Sequence, residues 1–182
     1  MFDSSSLVIE AMTVEQGRAV LPALVRLLQD AVDSGASVGF LAPLSDEDAY
    51  AYWNSVLDDV ASGTCVLLVA REAGNIVGSV QLELATKPNA YHRAEVQKLF
   101  VFRHARKRGI GGQLMQAIEQ VATEQQRTLL VLDTRQGDNA ERLYRKLGYI
   151  EAGFIPAYAL SSAGTADTTV IFYKILAEVN KS

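Results

Sequence analysis

Between Ala94 and Asp133 the sequence passes from a β-rich stretch (about Ala94 to Val101) through a glycine turn into an amphipathic helix. That helix carries Ile110, Leu114, Ile118 and Val121 on one face, and the short apolar run Thr128 to Asp133 follows it. Strand, helix and strand in that order imply a parallel pair, because parallel neighbours need a long crossover and a helix is the usual one. The surrounding segments point the other way. Cys65 to Glu72 and Ile76 to Ala85 are joined by Ala73-Gly74-Asn75, a hairpin signal. The last two β-rich runs, about Tyr149 to Tyr158 and Thr169 to Leu176, flank a turn through Ser161-Ser162-Ala163-Gly164. A mixed sheet is therefore expected. Thr128 to Asp133, dominated by Leu and Val, reads as a strand buried on both faces.

Ahead of this unit, Leu7 to Met12 reads as a first strand. Val14 to Asp33 reads as one amphipathic helix on the spacing of Val20, Leu24, Leu27, Leu28 and Ala31, with Pro22 as a bend. Ser34 to Phe40 holds two glycines and no period, so it is expected to be a loop. A second helix opens at Ser45, with Asp48 three residues on, and stops at Gly63. The last helix places Ala140, Leu143, Tyr144 and Leu147 on one stripe and closes at Gly148. The expected order is β α α β β β α β α β β, without repeats.

At 182 residues and 49% apolar, the chain supports one sizeable core, so one domain over residues 1–182 is expected. No apolar run approaches the roughly twenty residues that span a bilayer. The stretch Met1 to Glu10 is acidic rather than basic, and together these features set a cytoplasmic expectation with no membrane partner. Cys65 is the only cysteine, which excludes an intramolecular disulfide, and its apolar setting is that of a buried strand thiol. No metal-ligating cluster is expected. A net charge of -4 argues against nonspecific nucleic-acid binding, which requires many phosphates to be neutralised at once.

One segment breaks the acidic trend. Arg103, His104, Arg106, Lys107 and Arg108 lie between the strand ending Leu99-Phe100-Val101 and the turn Gly109-Ile110-Gly111-Gly112 that opens a helix. Unpaired backbone N–H groups and the positive end of the helix dipole converge there, which makes an anion site. Glycine suits it because a phosphate approaches the backbone more closely than a Cβ permits, or because the turn needs positive φ. The flanking Arg106, Lys107 and Arg108 add charge for outlying phosphates. Neither GxxxxGK[ST] nor GxGxxG is present. The alternative is a solvated surface loop, and a nucleic-acid role would require stacking aromatics or further basic stripes that the sequence does not offer.

The pattern Arg106-x-x-Gly109-x-Gly111 resembles the Q/R-x-x-G-x-G/A signature of the GNAT family of N-acetyltransferases. About thirty residues later, Asn139-Ala140-Glu141-Arg142-Leu143-Tyr144-Arg145-Lys146-Leu147-Gly148-Tyr149 looks like that family's second coenzyme A motif. Motif-level resemblance runs from about Glu95 to Ile155. It implies an α/β (α+β) fold with a mixed, mostly antiparallel six- to seven-stranded sheet, a splayed parallel pair at its fourth and fifth strands, and about four flanking helices. It also implies acetyl-CoA as cofactor, cradled along Leu99, Phe100, Val101, Arg106, Lys107, Arg108, Gly109, Ile110, Gly111 and Gly112. Asn139 would touch the cofactor arm and Tyr144 would face the thioester sulfur. Many relatives pair through their last strands, so the resemblance implies a homodimer.

Gly35 to Phe40, Ala94 to Leu99 and Leu132-Asp133-Thr134 further resemble the tabtoxin-resistance branch, whose acceptor is amino-acid-like. Lys107 and Gly112 depart from that branch.

Transfer from a thioester to an amine makes three demands: the amine loses a proton, the oxyanion needs a donor, and the departing thiolate receives a proton. Tyr144 suits the third, since a phenol of pKa about 10 can donate to a thiolate whose thiol pKa is about 8.5; its alternative is a core aromatic. For the oxyanion the resemblance points to the Val101 N–H, whose alternative is an ordinary ladder bond. Glu95 or Asp133, directly or through a water, could take the proton from the amine. Against this, Glu95 also reads as a solvent-facing strand residue and Asp133 as a turn acid. Neither His92 nor His104 is an obvious base. The acceptor is expected to be a small-molecule amine, with Phe40, Tyr50, Tyr52, Trp53, Tyr91 and Tyr158 as the aromatic supply for its pocket. A peptide acceptor and a noncatalytic acyl-CoA sensor are the alternatives.

Overall fold

Alternating apolar side chains on either side of Ala73-Gly74 set the centre of the sheet. In the computed structural model, which describes residues 6–36, 38–161 and 164–176, strand β2 (Cys65–Glu72) turns directly into β3 (Asn75–Leu84). Strand β1 (Val8–Ala11) flanks β2, and β3 pairs with β4 (Arg93–Val101), all antiparallel. Strand β5 (Leu129–Arg135) lies parallel to β4, and β6 (Ile150–Leu160) and β7 (Ala166–Ile175) complete a seven-stranded sheet of order β1-β2-β3-β4-β5-β7-β6. The mixed sheet with its single parallel pair matches the expectation. Residues 162 and 163, the middle of the expected turn, lie outside the described residues, as do residues 1–5 of the acidic start.

Five α-helices form where about four were expected, because Val14 to Asp33 is two helices. Helix α1 (Val14–Ala19) opens with a capping box between Thr13 and Gln16, and α2 (Leu21–Asp33) begins after Val20. Pro22 explains the break: it has no N–H to donate to the carbonyl four residues back, so it is tolerated only in the first turn of a new helix. Helix α3 (Asp46–Ser62) is bounded as the sequence indicated, by the Ser45 hydroxyl accepting from the Asp48 N–H (3.0 Å) and by a left-handed Gly63. Helices α4 (Ile110–Glu124) and α5 (Asn139–Lys146) follow β4 and β5. No helix among the described residues is long and apolar enough to cross a membrane.

The sheet separates two layers of core. On one face α2 and α3 bring Leu24, Leu28, Trp53 and Leu57 against Leu67 and Val69. On the other, Leu114, Met115 and Ile118 of α4 cover Leu82, Val96 and Leu130. Strand β5 is not buried on both faces. Leu130 and Leu132 are enclosed, but Asp133 is exposed and Val131 only half-buried, because α2 and α3 pack on β2, β3 and β4 and leave that side of β5 uncovered.

Strand β4 changes side midway. Gln97 faces Gln81 across the ladder and Phe100 faces Ser79, so β4 spends three residues where β3 spends two, and Lys98 carries the resulting bulge at φ 54°. Below it Ala94 and Val96 join the α4 core; above it Phe100 joins the α2–α3 core.

At the start of β4 and β5 the chain is pinned. The buried Arg127 donates to the Ala85 carbonyl (3.3 Å) and to the Tyr91 carbonyl and lies 4.2 Å over the Tyr91 ring, while the Thr128 N–H reaches the His92 carbonyl at 2.8 Å. Close packing continues where β3 meets α4: a Cβ on Gly78 would stand 2.7 Å from the Phe100 carbonyl oxygen and 3.1 Å from Leu114. Gly78→Ala is therefore expected to destabilise the protein by about 1–3 kcal/mol. Urea unfolding should show this as a lower midpoint with an unchanged slope.

Candidate active site

Strands β4 and β5 are paired only over Arg93–Glu95 and Leu129–Val131. Beyond that rung β4 stays with β3 and β5 stays with β7, so the sheet forks. The ladder direction decides what the fork presents. The Phe102 N–H donates to the Val77 carbonyl (3.0 Å), so Val101, opposite Gly78, occupies the non-hydrogen-bonded position of the antiparallel pair. Its N–H and C=O face away from β3, into the fork, and the carbonyl accepts Arg106 Nε at 2.9 Å. The alternative of an ordinary ladder bond at Val101 does not apply.

A cavity of about 560 Å³ fills this opening. Leu99, Phe100 and Val101 form one wall, Gly109 to Gly112 the floor, and Arg135, Asn139 and Leu143 the opposite wall. Gly109, at φ 83°, starts α4 with no side-chain cap, and the N–H groups of Ile110, Gly111 and Gly112 have no backbone acceptor among the described residues. A Cβ on Gly111 or Gly112 would meet nothing closer than Leu143, at 3.5 and 3.8 Å. The protein itself thus leaves room for side chains there, and the space beside the open amides fits a tetrahedral anion. The residues present therefore fit the diphosphate arm of coenzyme A.

The basic run divides. Arg108 turns away to a two-point ion pair with Glu72 (2.5 and 2.9 Å), and Arg103 pairs with Asp30 (2.8 Å). Arg106 stays at the cavity, donating also to the Ser34 hydroxyl at 2.8 Å. Lys107, exposed and in the left-handed region at φ 64°, lines the cavity too. Arg135, which the sequence reading missed, reaches from the end of β5 to the Gly35 carbonyl (3.0 Å) while paired with Asp138 (2.7 Å). Nothing in its sequence neighbourhood marks it beyond its place at a strand end.

Two of the three expected catalytic residues, Glu95 and Asp133, stand together at the closed end of the fork, and Tyr144 lines none of the three cavities described in this section. Glu95 is the last paired residue of β4, and Asp133 stands two residues beyond its partner Val131. Both line a second cavity of about 180 Å³ with Tyr158 and Thr169. Asp133 accepts the Thr169 hydroxyl at 2.9 Å, whereas Glu95 makes no hydrogen bond or ion pair among the described residues. Burial, and then the charges of Glu83 and Asp133, push the Glu95 carboxyl above the ordinary carboxylate range. Tyr144 lies behind the fork on α5, 6% exposed and packed on Tyr149 and Phe172. Burial, reinforced by Asp133 and Asp138, raises its phenol well above the ordinary value, so it stays protonated. His104 stacks on Phe102, and neither histidine lines these cavities.

A third cavity, about 480 Å³, lies between α3 and the β3–β4 face and shares Glu95 with the second. Tyr52 enters it, held by Gln81 Nε2 at 2.8 Å, and Phe40 packs edge-on against Tyr52. Trp53 belongs to the core instead, and Tyr91 lies under Arg127. Cys65 is the buried thiol that the sequence implied; burial pushes it up to about 12, which leaves it unreactive.

The chain is 34% identical over 109 residues to an uncharacterized N-acetyltransferase from the hisH-hisA intergenic region of Azospirillum brasilense, a match covering 59% of this chain and 63% of that protein. Its fold is similar to that of a putative acetyltransferase from Acinetobacter baylyi (TM-score 0.81, 18% identity, 100% of this chain and 98% of that one). It is also similar to yncA, a putative acetyltransferase from Salmonella typhimurium solved with its cofactor acetyl-CoA (TM-score 0.78, 16% identity, 97% and 98% covered). At these identities the two structural likenesses concern the fold. The family model that matches residues 25–149 is that of the acetyltransferase (GNAT) family, and to this family the chain belongs.

Proposed function

We propose that the protein is a single-domain, acetyl-CoA-dependent N-acetyltransferase acting on the amine of a small molecule. The observation that carries this reading is the fork: the Val101 amide and the open amides of α4 border one cavity at its mouth, and Glu95 and Asp133 line a smaller one at its closed end. When bound, acetyl-CoA supplies the thioester. The amides of residues 110–112, with Lys107 and Arg106, hold the diphosphate, and Asn139 touches the arm. The Val101 N–H donates to the oxygen that gains negative charge during transfer.

Glu95 takes the proton from the acceptor amine, directly or through a water, and Asp133 is the alternative base. A raised carboxyl suits a base that works near neutrality. Tyr144 gives its proton to the departing thiolate; burial keeps its phenol protonated and makes it a weaker acid than an exposed tyrosine. A cytoplasmic location belongs to this reading, with Cys65 a free thiol. So does a homodimer through β6, an edge strand that exposes Ile150, Phe154, Ile155 and Leu160.

Tyr144→Phe is expected to lower kcat by about a hundredfold or more, the usual size of a lost proton donor, while calorimetry shows coenzyme A uptake unchanged. Lys107→Ala is expected to weaken coenzyme A binding about tenfold, the scale of one charge-assisted bond. Arg108→Ala should weaken it far less, since Glu72 already holds that guanidinium.

Glu95→Gln is expected to slow turnover and to remove the acidic limb of the rate–pH profile, a limb lying above the ordinary carboxylate range. The stability effect has the opposite sign. A raised carboxyl holds its proton more tightly in the folded state than in the unfolded, so its contribution is present at low pH and is lost as pH rises through the raised value. Thermal unfolding should therefore find Glu95→Gln more stable than the parent at neutral pH, with the gap closing on acidification.

A further inference from the structure

We infer that Lys98 selects the acceptor, and that the acceptor carries a free carboxylate beside its amine, as an α-amino acid does. This rests on the acetyl-transfer reading above and deepens it. Lys98 sits at the β4 bulge and lines the 480 Å³ cavity together with Glu95, Gln81 and Tyr52. The bulge is what makes it available: in a regular strand the residue after Gln97 would continue the alternation into the α4 core. Here its left-handed backbone carries the ammonium to the Val38 carbonyl, 3.0 Å away.

That bond uses one of its three donors, and Lys98 makes no ion pair among the described residues. Glu95, on the same wall, is equally uncommitted. A half-buried cation and a half-buried anion that line one cavity and act on each other only at a distance keep part of their desolvation cost. A zwitterion relieves both, its ammonium directed to Glu95 and its carboxylate to the free donors of Lys98. Acids and cations border this space in equal number, Asp59, Glu83 and Glu95 against Lys87, Arg93 and Lys98, so the lining suits a ligand that carries one charge of each sign. A single carboxylate fits that charge pattern. Burial pulls the Lys98 ammonium below its ordinary range, opposed by Asp133 and Glu95, so an added carboxylate would also steady its charged form.

The test compares free L-α-amino acids with their carboxamides, which keep the amine and remove the negative charge. Calorimetry on the full chain, first titrated with coenzyme A, reads binding without requiring turnover, and the comparison is repeated without coenzyme A. The parent protein is expected to bind at least one acid about tenfold or more tightly than its amide, the scale of one charge-assisted bond. Lys98→Met, which keeps the aliphatic stem, should bring that ratio to near one by weakening the acid alone, and Lys98→Arg should restore part of it. In turnover the loss should fall on KM rather than kcat.

Equal binding of acids and amides by the parent, binding of neither, or a ratio that survives Lys98→Met would each overturn the assignment. A protein that takes up no coenzyme A would instead strike at the acetyl-transfer reading, and the first titration reads that separately.

Discussion

The molecule depends on a contact that stops early. Residues 93–95 of β4 meet residues 129–131 of β5, and the two strands then part because each is held more firmly by its other neighbour. Main-chain groups released by that parting have to find partners, since buried polar backbone seldom stays unsatisfied. Val101 finds Arg106, and the α4 amides face the open cavity. Arg127 and the His92 carbonyl hold the closed end, so the fork has a fixed hinge and a wide mouth.

Electrostatics at the fork follow the same division. Arg106, Lys107 and Arg135 border the cavity at the mouth, and Glu95 and Asp133 stand at the hinge. Arg106 also holds Ser34, Arg135 holds Gly35 and Lys98 holds Val38. Arg106 and Arg135 line the mouth cavity, and Lys98 lines the one that it shares with Glu95. Burial acts on the titratable groups in one sense: it keeps Tyr144 protonated and makes Glu95 a stronger proton acceptor than a surface carboxylate.

Much of this was legible in the sequence, because the relevant signals are local. Ala73-Gly74-Asn75 announces its hairpin, Ser45 and Gly63 bound α3, and the glycines after Arg108 mark the uncapped start of α4. Pro22 was read as a bend where it starts a new helix, since a proline in the first turn and one in the middle look alike until the cap is located. Strand β5 read as doubly buried because Leu and Val do not say which faces have cover. Arg135 and Lys98 escaped notice for another reason. Their roles come from partners far away in the chain, Gly35 and Val38, and no periodicity records such contacts. Arg108 shows the converse, a motif residue that Glu72 draws off from the cavity its neighbours line.

The extra residue in β4 works as an inversion of parity. Before it, odd-numbered side chains look one way; after it, even-numbered ones do, and the main-chain dipoles are re-aimed with them. Lys98 and the Val101 main chain thus face two different cavities because of a single phase slip. A chain one residue shorter at that point would keep its hydrophobic composition and lose the alignment of both.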